Sequence, residues 1–164
     1  MSFEVIYGDI CETGCDVLVN ASNGIGYMGG KAGIRKRLSG VAESIHYYTR
    51  GAVEAEAKKV VRSISPLGVA PGQVFVTPAP GLNCRYVFHA VTMRFPGSIA
   101  RMETVKSLLP KILDQARQLG VTSIAIPLLG TGTGHLNENK VLALYQQVFG
   151  TVDDLSIYVY LYRK

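Results

Sequence analysis

The chain has 164 residues, 48% of them apolar and 18% charged, with a formal net charge of +5. That length buries a substantial core in a single domain, residues 1–164, and no apolar run nears the roughly 20 residues needed to span a bilayer, so no membrane partner is expected. The opening "MSFEVIYGDI" has no basic segment ahead of an apolar one, so no secretory signal is read there and the cytoplasm is the expected location.

The first strand-like run is "FEVIYG" (3–8), and Asp9 follows it. Cys11 and Cys15 come next at C-x3-C spacing, with Cys84 far downstream. Three cysteines are an odd number, the spacing is not a common zinc pattern and no histidine is near, so no metal is expected and reduced thiols are. The run "DVLVNA" (16–21) leads to Asn20 and Asn23, after which five glycines fall within ten residues: Gly24, Gly26, Gly29, Gly30 and Gly33. A helix is predicted from Lys31 in "KAGIRKRLSG", its Arg35, Lys36 and Arg37 reading as a solvated face. His46 lies in a polar segment with no partner in view.

The run 52–64 places Val53, Ala57, Val60, Val61 and Ile64 on one helical side. "QVFVTPA" (73–79) and "RYVFHAVTM" (85–93) are strands joined by the short "PGLNC", hence antiparallel, because a parallel pair needs a crossover of about a dozen residues. His89 within the second reads as a hydrogen-bonded core residue. The run 102–120 repeats apolar residues at threes and fours and ends at Gly120, with Pro110 kinking it or marking its true start. "SIAIPLL" (123–129) is a strand, "NENKVLALYQQVFG" (137–150) a helix capped by Asn137, and "SIYVYLY" (156–162) the last strand. Alternating strands and helices predict an α/β layered domain with a mixed sheet, whose ligand sits beyond the carboxyl ends of the strands.

Two strand ends carry glycine-rich loops: the 24–33 segment, and Gly130, Gly132 and Gly134 alternating with Thr131 and Thr133. Glycine lets backbone N–H groups approach phosphate oxygens closely, and a following helix N-terminus adds partial positive charge. Two such loops suggest two phosphates, or one diphosphate held from both sides. Neither loop is a P-loop, and the second reads G-x-G-x-G without the acidic partner of a dinucleotide fingerprint. Asp9 can accept from an exocyclic amine such as adenine's, or cap a turn. Asn20 and Asn23 can read ribose hydroxyls, or cap the turn locally. His135 lies within the second loop, able to reach a ligand or to remain solvated, and no Ser/His/Asp or Cys/His arrangement presents itself.

"GDI", "DVLVNASN" and "MGGKAG", then "PGQVFVTPAPGLNCRYVFHAV", then "SIAIPLLGTGTG" resemble, in that order, the blocks of the macro domain family over about residues 4–162. The resemblance implies a three-layer α/β/α domain with a mixed central sheet that binds ADP-ribose and needs no cofactor. It implies Asp9 on the adenine amine with the Ile10 backbone beside it, and Asn23 at the distal ribose with Asn20 supporting. Gly29, Gly30, Ala32 and Gly33 would line the distal ribose and diphosphate, and Gly130, Thr131, Gly132, Thr133 and Gly134 would wrap the diphosphate from the other side. One hydrolytic branch of the family has an aspartate where Ala32 falls. The usual aromatic of the second loop is absent, with Gly134, His135 and Leu136 in its neighbourhood.

Three functions compete. The first is removal of ADP-ribose from acidic side chains or small esters, with Asn23 as the candidate catalytic residue and substrate phosphate activating the water. The second is an ADP-ribose reader that binds free or protein-linked ligand without chemistry. The third, a nucleotide- or RNA-binding module, has only the +5 charge behind it and no nameable stacking platform.

Overall fold

A computed structural model describes residues 3–162. In chain order it contains β1 (Phe3–Tyr7), a 3-10 turn (Ile10–Glu12), β2 (Val17–Asn23), α1 (Gly30–Arg35), α2 (Val41–Tyr48) and α3 (Ala52–Ile64). There follow β3 (Val74–Pro78), β4 (Tyr86–Met93), α4 (Met102–Leu119), β5 (Ser123–Ile126), α5 (Glu138–Phe149) and β6 (Ser156–Leu161). The strands form one sheet in the order β1-β6-β5-β2-β4-β3. All neighbours pair in parallel except β3 and β4, the antiparallel pair expected from their short link.

The central strands are apolar on both faces because both faces are covered. Val17, Val19, Phe88, Ala90, Ile124, Ile126, Ile157 and Val159 pack beneath α4 and α5, against Leu108, Leu109, Ile112 and Tyr145. The alternate residues Leu18, Val87 and Ala125 pack on the opposite side with Ile45 of α2 and Val53 of α3. A smaller cluster joins Ala57 and Val61 of α3 to Phe75 and Val91. The result is the expected three-layer α/β/α sandwich.

Two strand boundaries differ from the sequence reading, Pro110 resolves one way, and one helix is new. β2 runs on through Asn23, so both asparagines lie inside the strand. β5 stops at Ile126, since Pro127 has no N–H to continue the ladder. α4 begins at Met102 and passes through Pro110, which lies exposed on the helix, so the proline does not mark the start. Residues 41–48 form α2, an element without a sequence forecast, and its His46 is 1% exposed rather than lying in a polar segment. All three cysteines are unpaired and buried. Burial pushes the Cys11 thiol up to about 12 and the Cys84 thiol to about 11, so they pack as apolar groups.

No helix among the described residues is long and apolar enough to cross a membrane. None of these residues gather into a group of three or more His, Cys, Asp or Glu able to hold a metal ion.

Candidate functional site

The carboxyl ends of β1, β2, β4, β5 and β6 open into a cleft of two adjoining lobes, about 470 and 500 Å³ in volume. The lobes share Ser39, Gly40, Val41, Pro127, Thr131 and Gly132 among their walls. Asp9 and Ile10 line the larger lobe only, with Arg37 and Ser44. Ser22, Asn23, Glu43, Thr92, Thr133 and Gly134 line the other. Glu138, Tyr160 and Tyr162 reach both.

At the Asp9 end the carboxylate already has partners. Oδ1 accepts from the Cys11 backbone N–H at 2.9 Å and so caps the 3-10 turn. Oδ2 accepts from Arg37 at 3.1 Å, and the Arg37 guanidinium lies 5.8 Å from the Tyr162 ring centroid. A ligand amine at Asp9 must share Oδ2 with this half-exposed pair.

The second glycine loop forms the roof between the lobes. Its chain is pinned from behind: Tyr145 of α5, fully buried, donates to the Pro127 carbonyl at 2.6 Å and accepts from the Leu129 N–H at 2.9 Å. Leu136 N–H returns to the Gly130 carbonyl at 2.8 Å, and Ala100 N–H to the Gly134 carbonyl at 3.2 Å. Gly130 sits at φ 79°, and a Cβ on Gly134 would lie 2.6 Å from the Gly130 oxygen, so both are glycine for the sake of the loop itself. Gly132 differs, because a Cβ there meets nothing within 4 Å and would project into open space. Within the described residues the N–H groups of Gly132, Thr133 and Gly134 have no protein acceptor, which leaves them for a ligand. Thr131 Oγ1 donates back to the Leu128 carbonyl at 2.8 Å. His135, at φ 61°, is exposed and lines neither lobe.

The first glycine stretch lies beside Glu54 and His46 rather than in the wall of either lobe. Gly29, Gly30, Ala32 and Gly33 line neither lobe. Their loop closes instead on a carboxylate of the protein's own, Glu54 of α3. It accepts from Met28 N–H at 2.7 Å and Gly30 N–H at 3.1 Å and pairs with Lys58 at 3.0 Å. Burial works to raise the Glu54 carboxyl, but the two amides, Lys58 and His46 outweigh it and hold it below the usual range. His46 Nε2 donates to the Gly30 carbonyl at 2.7 Å, while its Nδ1, without a hydrogen-bond partner, stands 3.8 Å from Glu54. A Cβ on Gly29 or Gly33 would come within 2.9 Å of the His46 ring, so glycine at these positions leaves room for the imidazole. The wall they were expected to form is built by residues 39–43, the turn into α2.

The asparagines also separate. Asn20 is fully buried and lines neither lobe; its amide donates to His89 Nδ1 at 3.1 Å. With Nδ1 accepting, the ring proton is on Nε2 and is donated to Thr77 Oγ1 at 2.9 Å. This is a core network, as expected for His89, and burial lowers that imidazole to about 3. Asn23 does line its lobe, but its amide serves the local turn. Oδ1 accepts from Ile25 N–H and Tyr27 N–H, and Nδ2 donates to the Tyr27 carbonyl at 2.8 Å. Sequence reasoning missed Glu43, Glu54 and Tyr145. Their signals were only that Glu43 opens a short helix, that Glu54 lies in the first turn of α3, and that Tyr145 lies on an apolar helical face.

Together these features define a three-layer α/β/α domain with a two-lobed cleft at the strand ends. A family model for the Macro domain matches residues 19–145, and the chain belongs to the macro domain family. An uncharacterised protein of Thermoplasma volcanium is 32% identical over 143 residues, covering 86% of this chain and 72% of its own length. One from Sulfurisphaera tokodaii is 33% identical over 132 residues, covering 80% of this chain and 65% of its own, so the chain spans about two thirds of such relatives. Among solved structures, the macrodomain of Thermus aquaticus DarG superposes with a TM-score of 0.79 at 27% identity, covering 98% of each chain. A macrodomain variant of Oceanobacillus iheyensis with ADPR superposes at 0.80 and 22% identity, covering 98% of this chain and 84% of that one.

Proposed function

We propose that the cleft binds ADP-ribose, free or attached to a protein. The observation that carries this is the two-lobed cleft with a roof of unpaired loop amides, a carboxylate at one end and side-chain hydroxyls at the other. The family and the ADPR-bearing structural neighbour support the same ligand. In this reading adenine lies at Asp9 and Ile10, the diphosphate passes beneath Gly130–Gly134, and the distal ribose lies toward Asn23.

The geometry favours a binding module over a hydrolase. Asn23, the candidate catalytic residue, has its amide engaged by its own turn, and Ala32 stands outside the cleft. Calorimetry tests the binding: ADP-ribose is expected to bind more tightly than AMP, because only it uses both lobes and the loop between them. Equal affinity for the two overturns the diphosphate argument. Run beside it, an assay for ADP-ribose release from an aspartyl- or glutamyl-modified protein is expected to show none above the uncatalysed rate.

A further inference from the structure

Among the described residues that line the lobe around Asn23 there is no lysine, arginine or histidine, yet there are two carboxylates, Glu43 and Glu138. Arg37, the cation of the adjoining lobe, pairs with Asp9 and not with either. Glu43 is half-buried in the first turn of α2 and takes part in no ion pair among the described residues.

Its position is defined by Gly40, the residue at the head of that helix. Gly40 has φ 115°, and a Cβ there would collide with Glu43 Oε2 and come within 3.2 Å of its Cδ. The carboxylate therefore folds back over the start of α2. The unpaired amides of that first turn and the helix dipole favour negative charge there. Glu43 lines the same lobe as the loop residues Gly132, Thr133 and Gly134. A ligand phosphate entering from the loop side meets a resident anion.

We propose that Glu43 is a charge-selectivity residue: its carboxylate opposes phosphate in this lobe, so an anionic ligand enters together with a proton. The inference rests on the ADP-ribose reading of the cleft. Burial already raises the Glu43 carboxyl, partly offset by its own backbone N–H and by His46. A phosphate beside it raises it further, so binding draws a proton onto it. The other titratable groups facing the lobe are Tyr7 of β1, Tyr160 of β6, Tyr162 and Glu138 of α5, with His46 behind on α2 itself. Glu138 remains in the Glu43→Gln variant and so serves as its internal control.

ADP-ribose is the suitable probe, because its diphosphate is esterified at both ends and has no secondary ionisation near neutral pH. Calorimetry at pH 5.5 and 7.5, in buffers of differing ionisation enthalpy, reads both affinity and proton uptake. For the parent protein the expected result is binding on the order of five- to tenfold tighter at pH 5.5, with net proton uptake. Glu43→Gln is expected to bind ADP-ribose on the order of fivefold tighter than the parent at pH 7.5. It should lose most of the pH dependence. ADP-ribose binding that is equal in the two proteins and independent of pH overturns this inference and leaves the ligand reading intact. Weaker binding by Glu43→Gln also overturns it, since the carboxylate would then accept from the ligand. Absence of ADP-ribose binding by both proteins at both pH values overturns the ligand reading and this inference together.

Discussion

His89 shows how one buried side chain fixes both structure and pH response. Its imidazole is fully buried between Asn20 and Thr77 and stacks on Phe75 at 4.6 Å between ring centroids, with the ring neutral. Its folded-state value is lowered from 6.5 to about 3 by burial. The unfolded chain therefore binds a proton that the folded chain refuses. Stability from this group is complete above about 6.5 and declines by about 1.4 kcal/mol for each pH unit below that, down to about 3. Urea unfolding at pH 7 and pH 5 should show the parent losing about 2 kcal/mol more than a His89→Gln variant over that interval. Equal losses would mean that the ring is solvated or already charged in the native state.

Tyr145 links an element to the site. Its hydroxyl joins α5 to both ends of the Pro127–Leu129 turn from which the second glycine loop springs, and burial raises it well above the usual tyrosine range. Tyr145→Phe leaves a buried N–H and a buried carbonyl unpaired, which should lower stability by about 1–3 kcal/mol and weaken ADP-ribose binding through a looser loop. A denaturant midpoint unchanged from the parent's would contradict that role. At this scale the sequence was legible where periodicity was strong: the six strands, α3, α4 and α5 follow from alternation, three-and-four spacing and caps such as Asn137, which accepts from Lys140 N–H. It was not legible in α2. That helix starts at a glycine instead of a side-chain cap, is only eight residues long, and carries exposed Tyr47 and Tyr48 beside buried Ile45 and His46. The consequence reached the site. The glycines of the first loop suggested a phosphate, and the anion that the Met28 and Gly30 amides hold in this structure is Glu54, 24 residues distant from Gly30 in sequence, with His46 beside it. A backbone loop that fits an anion reads the same whether the anion is a ligand or a side chain.

The whole molecule is a scaffold of parallel strands that brings Asp9, Asn23, Met93, Pro127 and Leu161 to one edge and roofs them with a loop of bare amides. The central claim is that ADP-ribose occupies both lobes beneath that roof. Gly132 allows the most direct test, since it lines both lobes and a side chain there meets no protein atom within 4 Å of its Cβ. A Gly132→Leu variant should keep the parent's thermal midpoint while adding a bulky side chain to the loop that lines both lobes. Calorimetry with ADP-ribose on parent and variant is the measurement. The expected result is saturable binding by the parent and a loss on the order of a hundredfold or more in the variant, consistent with about 3 kcal/mol of displaced contacts. ADP-ribose binding to Gly132→Leu with the parent's affinity would contradict the account, because the ligand would then lie outside this cleft.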